Sequence, residues 1–377
     1  MVAAVCLVQP TLFPEASRID IHEYARALAQ LGVETHVIVS QDRSTPRANL
    51  TVHATGFPPR NDPLSWLRFA RFAEDRVLQL AQERKLGLVH LFNPSPATWL
   101  LGRRLARRAA RPALVYDLRT GGLGHGPAAW LTDATARSAP GFADGLIALT
   151  QGVGRRVFPA NAAFVVVPLG VDLEAFRPAP SPDAAEYVFI YAGTLSPNRE
   201  LSRMIEAFER VARRHAHARL RIAGDGGDRS RLESLVASHG LQRAVTFLNK
   251  REPREIPALL AGAHCGLSYV PKTPWFEPQP QLKTLECFAM DLPVVAVHTA
   301  GNADCWDSLP RELLTADDAE AFARGMCFAL ERGNALRTGA FRAAAERHGW
   351  LQIARERLLP LYARLMASPP PGDARRS

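Results

Sequence analysis

Residues 277–297, EPQPQLKTLECFAMDLPVVAV, decide the fold, because a loop, a helix and a buried strand follow one another within them. Leu282, Leu285 and Ala289 recur at helical spacing and predict the helix. Pro293 stops this helix, and the Val-Val-Ala-Val run after it is typical of a strand covered on both faces. A helix that leads directly into a buried strand is the repeating unit of a parallel α/β sheet.

Glu286 interrupts the apolar side of this predicted helix. On a helical wheel it lies between Leu282 and Met290, so its carboxylate points towards packed side chains or a crevice and needs a partner. One interpretation is a surface pair with Lys283, although Lys placed N-terminal to Glu gives the weaker orientation of a helical pair. The other interpretation is that Glu286 accepts hydrogen bonds from neighbouring hydroxyl groups of a ligand, such as those of a ribose.

Two motifs resemble those of a known family. The pattern K-x-x-E-x-x-A-x-x-x-P-V-V-A, residues 283–296, resembles the donor-binding helix of glycosyltransferase family 4, retaining enzymes of the GT-B fold. The segment P-L-G-V-D-x-x-x-F-x-P, residues 168–178, is similar to the one that ends the first domain in this family. The chain departs from the family at Pro278, where many members have a second Glu, and at Asp291, where Gly is usual. Glu277 is the acidic residue beside the first departure.

Length and composition bound the class of protein. A chain of 377 residues predicts two domains, and 47% hydrophobic residues are enough for two cores. No apolar run approaches the roughly 20 residues of a membrane helix, and residues 1–8 lack a signal-peptide pattern, so we expect a cytoplasmic protein.

Five scattered cysteines without C-x-x-C spacing argue against disulfides and structural zinc. The formal charge of +9 favours anionic partners, but no nucleic-acid-binding motif is present, so we expect no nucleic-acid partner.

Short apolar runs alternate with helical patterns along the whole chain and predict two doubly wound parallel sheets. The predicted strands are 2–8, 34–39, 88–92, 113–116, 145–150 and 164–168 in the first half, and 187–193, 219–224, 244–248, 265–270, 293–298 and 312–315 in the second. The resemblance implies the GT-B fold, in which two Rossmann-like domains face a cleft. We expect an acceptor-side domain over 1–177, a donor domain over 178–345, a helix over 346–367 that crosses back to the first domain, and a disordered tail over 368–377.

Arg199 is the basic residue predicted to bind the donor phosphates. It falls in the first turn of a predicted helix, where a cation opposes the helix dipole unless an anion is present. The family has a phosphate-gripping basic residue here, and a helix-surface arginine is the alternative. Backbone N–H groups after strand 293–298 could also address a phosphate, and the loop 249–254 lies where relatives place the nucleobase. The predicted donor-binding residues are Gly193, Thr194, Arg199, Lys250, Lys283, Glu286, Thr299, Ala300 and Gly301.

Asp117 is the candidate polar contact at the reacting centre, and Arg199 is the second predicted catalytic residue. Asp117 follows strand 113–116, and the family often places a His near this strand end to contact the transferred sugar. A helix-capping Asp is an equally good interpretation. The predicted acceptor-side residues are Arg18, His22, Arg119 and His125. For Arg18 and His22, solvated positions on a helix remain the alternative.

A helix predicted over 96–110 carries a basic face of Arg103, Arg104, Arg107 and Arg108, with Arg111 beyond it. Such a face is either solvated or docks on anionic lipid, as in many relatives with lipid-linked acceptors. No D-x-D motif occurs in the chain, so we predict catalysis without a metal and with no cofactor besides the donor substrate.

The resemblance implies transfer of a sugar from a nucleotide-sugar donor to a hydroxyl group with retention of anomeric configuration. The acceptor would be a glycan, a lipid-linked molecule or a small molecule, as in polysaccharide biosynthesis. A nucleotide-sugar 2-epimerase of the same fold is one alternative, but it needs several acids and bases in the first domain. A non-enzymatic nucleotide-sugar-binding protein is the other, and such a protein is usually exported.

Overall fold

The computed structural model describes residues 3–13, 19–84, 86–182 and 185–367. They form two compact units: unit 1 holds the described residues of Met1–Leu169 and Trp350–Ser377, and unit 2 is Gly170–Gly349. Arg18 and the predicted tail 368–377 lie outside the described residues. Each unit is built on its own parallel sheet, and this confirms the predicted α/β class.

Unit 1 has a parallel sheet of mostly short, fully buried strands. Its described strands are β1 (Val5–Val8), β2 (Leu12–Phe13), β3 (Thr35–Val39), β4 (Gln41–Asp42), β5 (Leu50–Ala54), β6 (Leu88–Phe92), β7 (Ala113–Leu118), β8 (Gly145–Ala148) and β9 (Val165–Val166). Seven of them form one parallel sheet in the order β5-β3-β1-β6-β7-β8-β9, and β2 pairs with β4. Its first helices are α1 (Ile19–Gln30), α2 (Pro63–Arg84), α3 (Pro96–Ala106), α4 (Pro127–Arg137) and α5 (Gln151–Val157).

Local sequence explains these elements. Every side chain of β1, β3, β6 and β7 is buried, as expected for parallel strands covered on both faces. α3 begins where the Ser95 hydroxyl accepts a hydrogen bond from the Thr98 N–H at 3.1 Å, followed by proline in its first turn. The sequence patterns missed β5, because this edge strand is largely exposed and carries no continuous apolar run.

Unit 2 repeats the alternation. Its strands are β10 (Tyr187–Ala192), β11 (Ala218–Ala223), β12 (Val245–Phe247), β13 (Cys265–Ser268), β14 (Val294–Val297) and β15 (Leu314–Thr315). Its helices are α6 (Ser202–Arg214), α7 (Arg229–Ser238), α8 (Ile256–Ala261), α9 (Leu282–Ala289), α10 (Ala300–Ala303), α11 (Ala319–Arg332) and α12 (Ala340–Glu346). The parallel strand order is β12-β11-β10-β13-β14-β15. The order reverses between β10 and β13, and ligands of open α/β sheets bind at the carboxyl ends of the strands beside such a reversal.

The end of α9 explains one departure from the family pattern. Asp291 has a φ of +51°, in the left-handed region that favours glycine. Aspartate tolerates this region better than most residues. Its carboxylate also accepts a hydrogen bond from the Gly339 N–H at 2.8 Å, next to the start of α12. Aspartate at this position therefore lacks the conformational freedom of glycine, but its hydrogen bond links the end of α9 to the start of α12.

The last helices pack within unit 1. α13 (Trp350–Ile353), a π-helical turn (Ala354–Leu358) and α14 (Leu359–Ala367) follow unit 2 in the chain. The Trp350 ring lies 5.5 Å from that of Tyr24 on α1, and the Tyr362 hydroxyl lies 2.6 Å from Nδ1 of His90 on β6. Within the described part of the chain, every helix is too short or too polar to cross a membrane.

Candidate functional site

Arg199 lies at the carboxyl edge of the unit 2 sheet, in a 3-10 turn (Pro197–Arg199) that follows β10. The predicted position in the first turn of a helix is wrong, because Glu200 adopts a left-handed conformation and α6 begins only at Ser202. Its guanidinium donates to Oε1 of Gln281 at 3.0 Å and sits 5.1 Å from the centre of the Phe276 ring. Both partners are neutral, and Arg199 forms no ion pair with another described residue. Its positive charge is therefore positioned but not neutralised.

Lys283 is the second cation of this site, one residue into α9. Its Nζ donates to the Tyr191 hydroxyl at 3.1 Å and lies 4.2 Å from the centre of that ring. Burial lowers the pKa of Lys283 well below its usual value, and the neighbouring Arg199 lowers it further, while Glu286 opposes both effects. An anion bound beside the two cations would restore the charge of the ammonium group. The pair is therefore arranged to favour an anionic ligand.

Glu286 is one turn further along α9. It is partly buried and makes no hydrogen bond or ion pair with another described residue, so the surface pair with Lys283 is absent. Burial raises the pKa of Glu286 to about 7, and the Lys283 charge only partly offsets this rise. A carboxylate left without a protein partner can accept hydrogen bonds from ligand hydroxyl groups.

The loops after three neighbouring strands meet beside these side chains. A Cβ on Gly193 would lie 3.2 Å from Lys283 Nζ, so glycine keeps the backbone close to the ammonium group. The Thr194 carbonyl accepts a hydrogen bond from Tyr191 at 3.3 Å, and the Thr194 side chain is exposed. Lys250 is exposed one residue after Asn249, whose carbonyl accepts from the Gly224 N–H at 2.9 Å. No contact ties Lys250 to the two cations among the described residues.

The turn at Thr299, Ala300 and Gly301 is adjacent, but its backbone donors are already engaged. The Thr299 N–H donates to the carbonyl of Val297 at 2.9 Å, and the Gly301 N–H donates to the carbonyl of Glu277 at 3.0 Å. The Ala300 N–H donates to Oε1 of Glu277 at 3.3 Å. Phosphate binding by this turn would therefore require the carboxylate of Glu277 to move away.

Two residues of the site were not predicted. Gln281 precedes α9 and orients Arg199 through its side-chain oxygen. Asn302 is fully buried, donates to the Val297 carbonyl at 2.9 Å, and accepts from the Gln281 N–H at 3.3 Å, thereby joining the start of α9 to the end of β14. The sequence QPQLK, residues 279–283, was the available signal for Gln281. Nothing local in the sequence marks Asn302.

Asp117 lies in a closed polar network inside unit 1. It is 0% exposed; its Oδ2 lies 3.1 Å from Nε2 of His90, and its Oδ1 lies 3.7 Å from the guanidinium of Arg119. Burial lowers the pKa of His90, so the neutral imidazole donates to Asp117 and accepts from Tyr362. This enclosed position suits a structural carboxylate, and it offers a sugar no contact within unit 1.

The predicted acceptor-side residues do not form one cluster. Arg119 is 2% exposed and donates to the Val167 carbonyl at 2.8 Å and to Asp20 at 2.9 Å, so it belongs to the same buried network. His22 packs edge-on against Phe13 at 5.4 Å, with Nδ1 3.1 Å from Glu23. His125 is exposed in the turn before α4. Arg119 therefore has a structural position, and nothing in the structure joins His22 to His125.

Three of the five arginines predicted to form the basic face for membrane docking are bound to carboxylates of unit 1. Arg104 and Arg108 both bind Glu74, whose side chain is 2% exposed, and Arg111 forms two hydrogen bonds with Asp144 at 2.5 and 2.9 Å. Arg103 stacks over the Trp99 ring at 5.1 Å. These three arginines hold unit 1 together, because a buried carboxylate requires cationic partners. Two carboxylates offset only part of the charge of the five arginines.

Over the residues that the structure describes, no three His, Cys, Asp or Glu side chains are grouped so that they could hold a metal ion. The prediction of metal-independent catalysis stays a prediction.

Comparison with known proteins gives matches along most of the chain. The family described as "Glycosyl transferase 4-like domain" matches residues 17–170, and "Glycosyl transferases group 1" matches residues 186–332. A Mycobacterium tuberculosis protein named GDP-mannose-dependent alpha-(1-6)-phosphatidylinositol dimannoside mannosyltransferase is 29% identical over 248 residues, 61% of this chain. The match spans 60% of the length of that relative.

Solved structures show the same fold. Sucrose-phosphate synthase from Thermosynechococcus elongatus aligns with a TM-score of 0.77 at 17% identity, over 97% of this chain and 99% of that one. Anabaena Alr3699/HepE in complex with UDP aligns with a TM-score of 0.70 at 18% identity, over 96% and 100%. With both units matched by models of the two domains, the chain belongs to the group 1 glycosyl transferases of glycosyltransferase family 4, which have the GT-B fold.

Proposed function

We propose that the protein is a retaining glycosyltransferase that moves a sugar from a nucleotide-sugar donor to a hydroxyl group of an acceptor. One observation carries the proposal: Arg199 and Lys283 are held by neutral partners, without a carboxylate in contact. Like charges brought together in this way are unfavourable unless an anion joins them. The diphosphate of a nucleotide sugar supplies the anion, and Glu286 accepts hydrogen bonds from the ribose hydroxyl groups.

The same charges serve the reaction. Breaking the bond between the sugar and the diphosphate leaves positive character on the sugar ring and a further negative charge on the leaving phosphate. Cations fixed before the reaction stabilise this charge without reorganising during it. Gln281 and Tyr191 fix them here. Retention is proposed from family membership, through a front-face step in which the leaving phosphate helps to deprotonate the acceptor.

The first experiment is a thermal-shift screen of nucleotide sugars with the full chain. GDP-mannose comes first, because the Mycobacterium tuberculosis relative is named as dependent on it, and UDP sugars follow, because Anabaena Alr3699/HepE was solved with UDP. A ligand that binds the folded state raises the melting temperature in proportion to the logarithm of its concentration over Kd. We expect one nucleotide sugar to raise it in the wild type and to have little effect in Arg199→Gln and Glu286→Gln.

Arg210→Gln is the matched control, because Arg210 is an exposed arginine of α6 that makes no contact with the site. If no nucleotide sugar binds, or if both site variants bind as the wild type does, the proposal is wrong. Incubating the bound donor alone and following its anomeric proton by NMR separates the other functions. An epimerase would convert the donor without acceptor, and a binding protein would leave it unchanged even with acceptor.

A further inference from the structure

Unit 1 contains a cavity of about 640 Å³ at the carboxyl edge of its sheet. Four neighbouring strands, β5, β3, β1 and β6, end at this cavity. The residues that directly follow them line its wall: Thr55, Ser40, Gln9 and Asn93. Ligands of parallel α/β sheets bind at this edge. No local sequence pattern marks this cavity, because it depends on which strands become neighbours.

Two amide side chains in the cavity wall have no hydrogen-bond partner among the residues that the structure describes. Gln9 is 4% exposed, and its side chain makes no hydrogen bond with another described residue. Asn93 has a φ of +55°; its backbone is fixed by hydrogen bonds to Asp117 and Thr98, and its Oδ1 is buried without a hydrogen bond. A buried amide oxygen left without a partner, as in Asn93, is costly. A ligand with several hydroxyl groups satisfies this oxygen and the Gln9 amide, because each amide both donates and accepts.

Five prolines, Pro10, Pro58, Pro59, Pro94 and Pro96, also line the cavity. Proline has no backbone N–H, so these five positions offer a ligand no backbone donor. The rings of Phe57, Trp66 and Phe69 provide apolar surface beside the amides. This mixture of amides and aromatic rings is typical of sites that hold a sugar or a similar polyol.

Arg60 and Arg68 bring positive charge to the same cavity. Both are exposed, and neither forms a hydrogen bond or ion pair with another described residue. The nearby carboxylate of Asp62 is engaged instead by the N–H and hydroxyl of Ser65, at 2.9 and 2.8 Å. Guanidinium groups bind phosphate through paired hydrogen bonds. Arg60 also interacts electrostatically with Asp62, but neither guanidinium group is bound by a carboxylate among the described residues, and the pair therefore favours a phosphorylated ligand.

We propose that this cavity is the acceptor site and that the acceptor is a phosphorylated polyol, either free in solution or as the headgroup of a lipid. The assignment to the acceptor rests on the proposed transferase function, whereas binding of the phosphorylated polyol can be measured without it. Gln9 and Asn93 would bind hydroxyl groups, the aromatic rings would pack on the polyol, and Arg60 and Arg68 would bind its phosphate.

The test is isothermal titration of the full chain with inositol 1-phosphate and glucose 6-phosphate, compared with inositol, glucose and inorganic phosphate. We expect a phosphorylated polyol to bind about tenfold or more tightly than its uncharged counterpart and than inorganic phosphate. Arg60→Gln and Arg68→Gln should each weaken it by about tenfold. Gln9→Met, which keeps the size of the side chain and removes the amide, should weaken both charged and uncharged polyols.

Arg71→Gln is the matched control, because Arg71 is exposed on α2 but does not line the cavity. Equal losses in Arg68→Gln and Arg71→Gln would show only general charge attraction and overturn the proposal. Wild-type affinity in all three cavity variants, or no preference for the phosphorylated polyol over inorganic phosphate, would overturn it as well. Nucleotide-sugar binding, measured in the same variants, shows whether they are folded. If nucleotide sugars bind and phosphorylated polyols do not, this inference fails while the proposed function stands.

Vesicle sedimentation separates the two sources of the ligand. Phosphatidylcholine vesicles containing phosphatidylinositol or phosphatidylserine carry the same kind of negative charge, but only the first presents a polyol. Retention on phosphatidylinositol alone, lost in Arg68→Gln, supports a lipid headgroup. Binding of the soluble phosphate esters without this retention supports a free acceptor. Equal retention on both lipids, lost equally in Arg71→Gln, overturns the proposal.

Discussion

Replacing Glu286 by Gln should stabilise the fold and weaken donor binding at the same time. Burial raises the pKa of Glu286 from its usual 4.5 to about 7. Between these values the folded protein binds more protons than the unfolded chain, so the contribution of Glu286 to stability falls as the pH rises from 4.5 to 7. Above pH 7 the ionised group carries the whole penalty. Gln has no charge and escapes it.

The magnitude follows from the size of the shift. A rise from 4.5 to about 7 corresponds to about 3 kcal/mol, at about 1.4 kcal/mol per pKa unit. Because the side chain is only partly buried, solvent screens part of this penalty, and we expect about 2 kcal/mol. Glu286→Gln should therefore raise the free energy of unfolding by about 2 kcal/mol at pH 8 and by almost nothing at pH 4, where both side chains are neutral.

Donor binding should respond in the opposite direction. If the ribose hydroxyl groups donate to the ionised carboxylate, binding requires the ionised fraction, which at pH 6 is about one tenth for a pKa of about 7. The wild-type Kd for the donor should therefore rise by about tenfold between pH 8 and pH 6. In Glu286→Gln the donor should bind about tenfold more weakly at pH 8, and this pH dependence should disappear.

The assays are urea unfolding at pH 4 and pH 8 and isothermal titration with the donor at pH 6 and pH 8. Glu331→Gln is the control, because Glu331 is an exposed glutamate of α11, and neither quantity should change in it. Two results would refute the reasoning: a Glu286→Gln protein that is less stable than the wild type at pH 8, or equal pH dependence of donor affinity in the two proteins.

Three further predictions follow from the charges of the two units. Arg199→Gln should weaken donor binding by about 1.5 kcal/mol, roughly tenfold, because one charge-assisted hydrogen bond to a phosphate is lost, while Arg210→Gln should not; titration calorimetry checks both, and equal affinities would contradict the phosphate role. Burial and the stacked His36 lower the pKa of His53 to about 4, so stability should fall as the pH drops from 6.5 towards 4; because His53 is half-buried, we expect about 1 kcal/mol, seen as a difference between the wild type and His53→Phe in urea unfolding at pH 7 and pH 5. Sugar transfer should survive excess EDTA, because Arg199 and Lys283 supply the positive charge that a metal would bring; loss of turnover restored by magnesium or manganese would contradict this.

The sequence predicted those elements and residues that are marked by a pattern within a short segment. Helical spacing, Pro293 and the valine run placed α9 and β14 to within a residue or two, and the unusual position of one carboxylate in an apolar arc singled out Glu286. Arg199 was singled out in the same way, as a cation at a predicted helix start, although the structure places it in the 3-10 turn ahead of α6. In both cases the signal is a charged residue that differs from its neighbours a few positions away in a predicted helix. Helix geometry relates such spacing to the face of the helix on which the residue lies.

Asp117 shows why the other assignments needed the structure. Its position at the end of a strand suggested a ligand contact, but the partners that enclose it are His90, 27 residues away, and Arg119. His90 in turn meets Tyr362, 272 residues further along the chain. No local sequence pattern can relate two residues that lie so far apart in the chain. The unit 1 cavity was missed for the same reason, because Gln9 and Asn93 become neighbours only through the pairing of β1 with β6.

Glu277 decides where in unit 2 a phosphate can bind. Its carboxylate lies at the Ala300 N–H, and its carbonyl accepts from Gly301. A Cβ on Gly301 would come within 2.0 Å of the backbone at Gln279, so this loop is locked against the turn. An anion placed there would meet the charge of Glu277 at close range, which is unfavourable and which Lys272, at 3.7 Å from Glu277, offsets only in part. Among the described residues, no carboxylate is hydrogen-bonded to Arg199 or Lys283, although Glu286 lies near Lys283. We therefore propose that the negative charge of the donor binds at the two cations, and that the Thr299–Gly301 turn holds in position the loop that carries Gln281, and through it the guanidinium of Arg199.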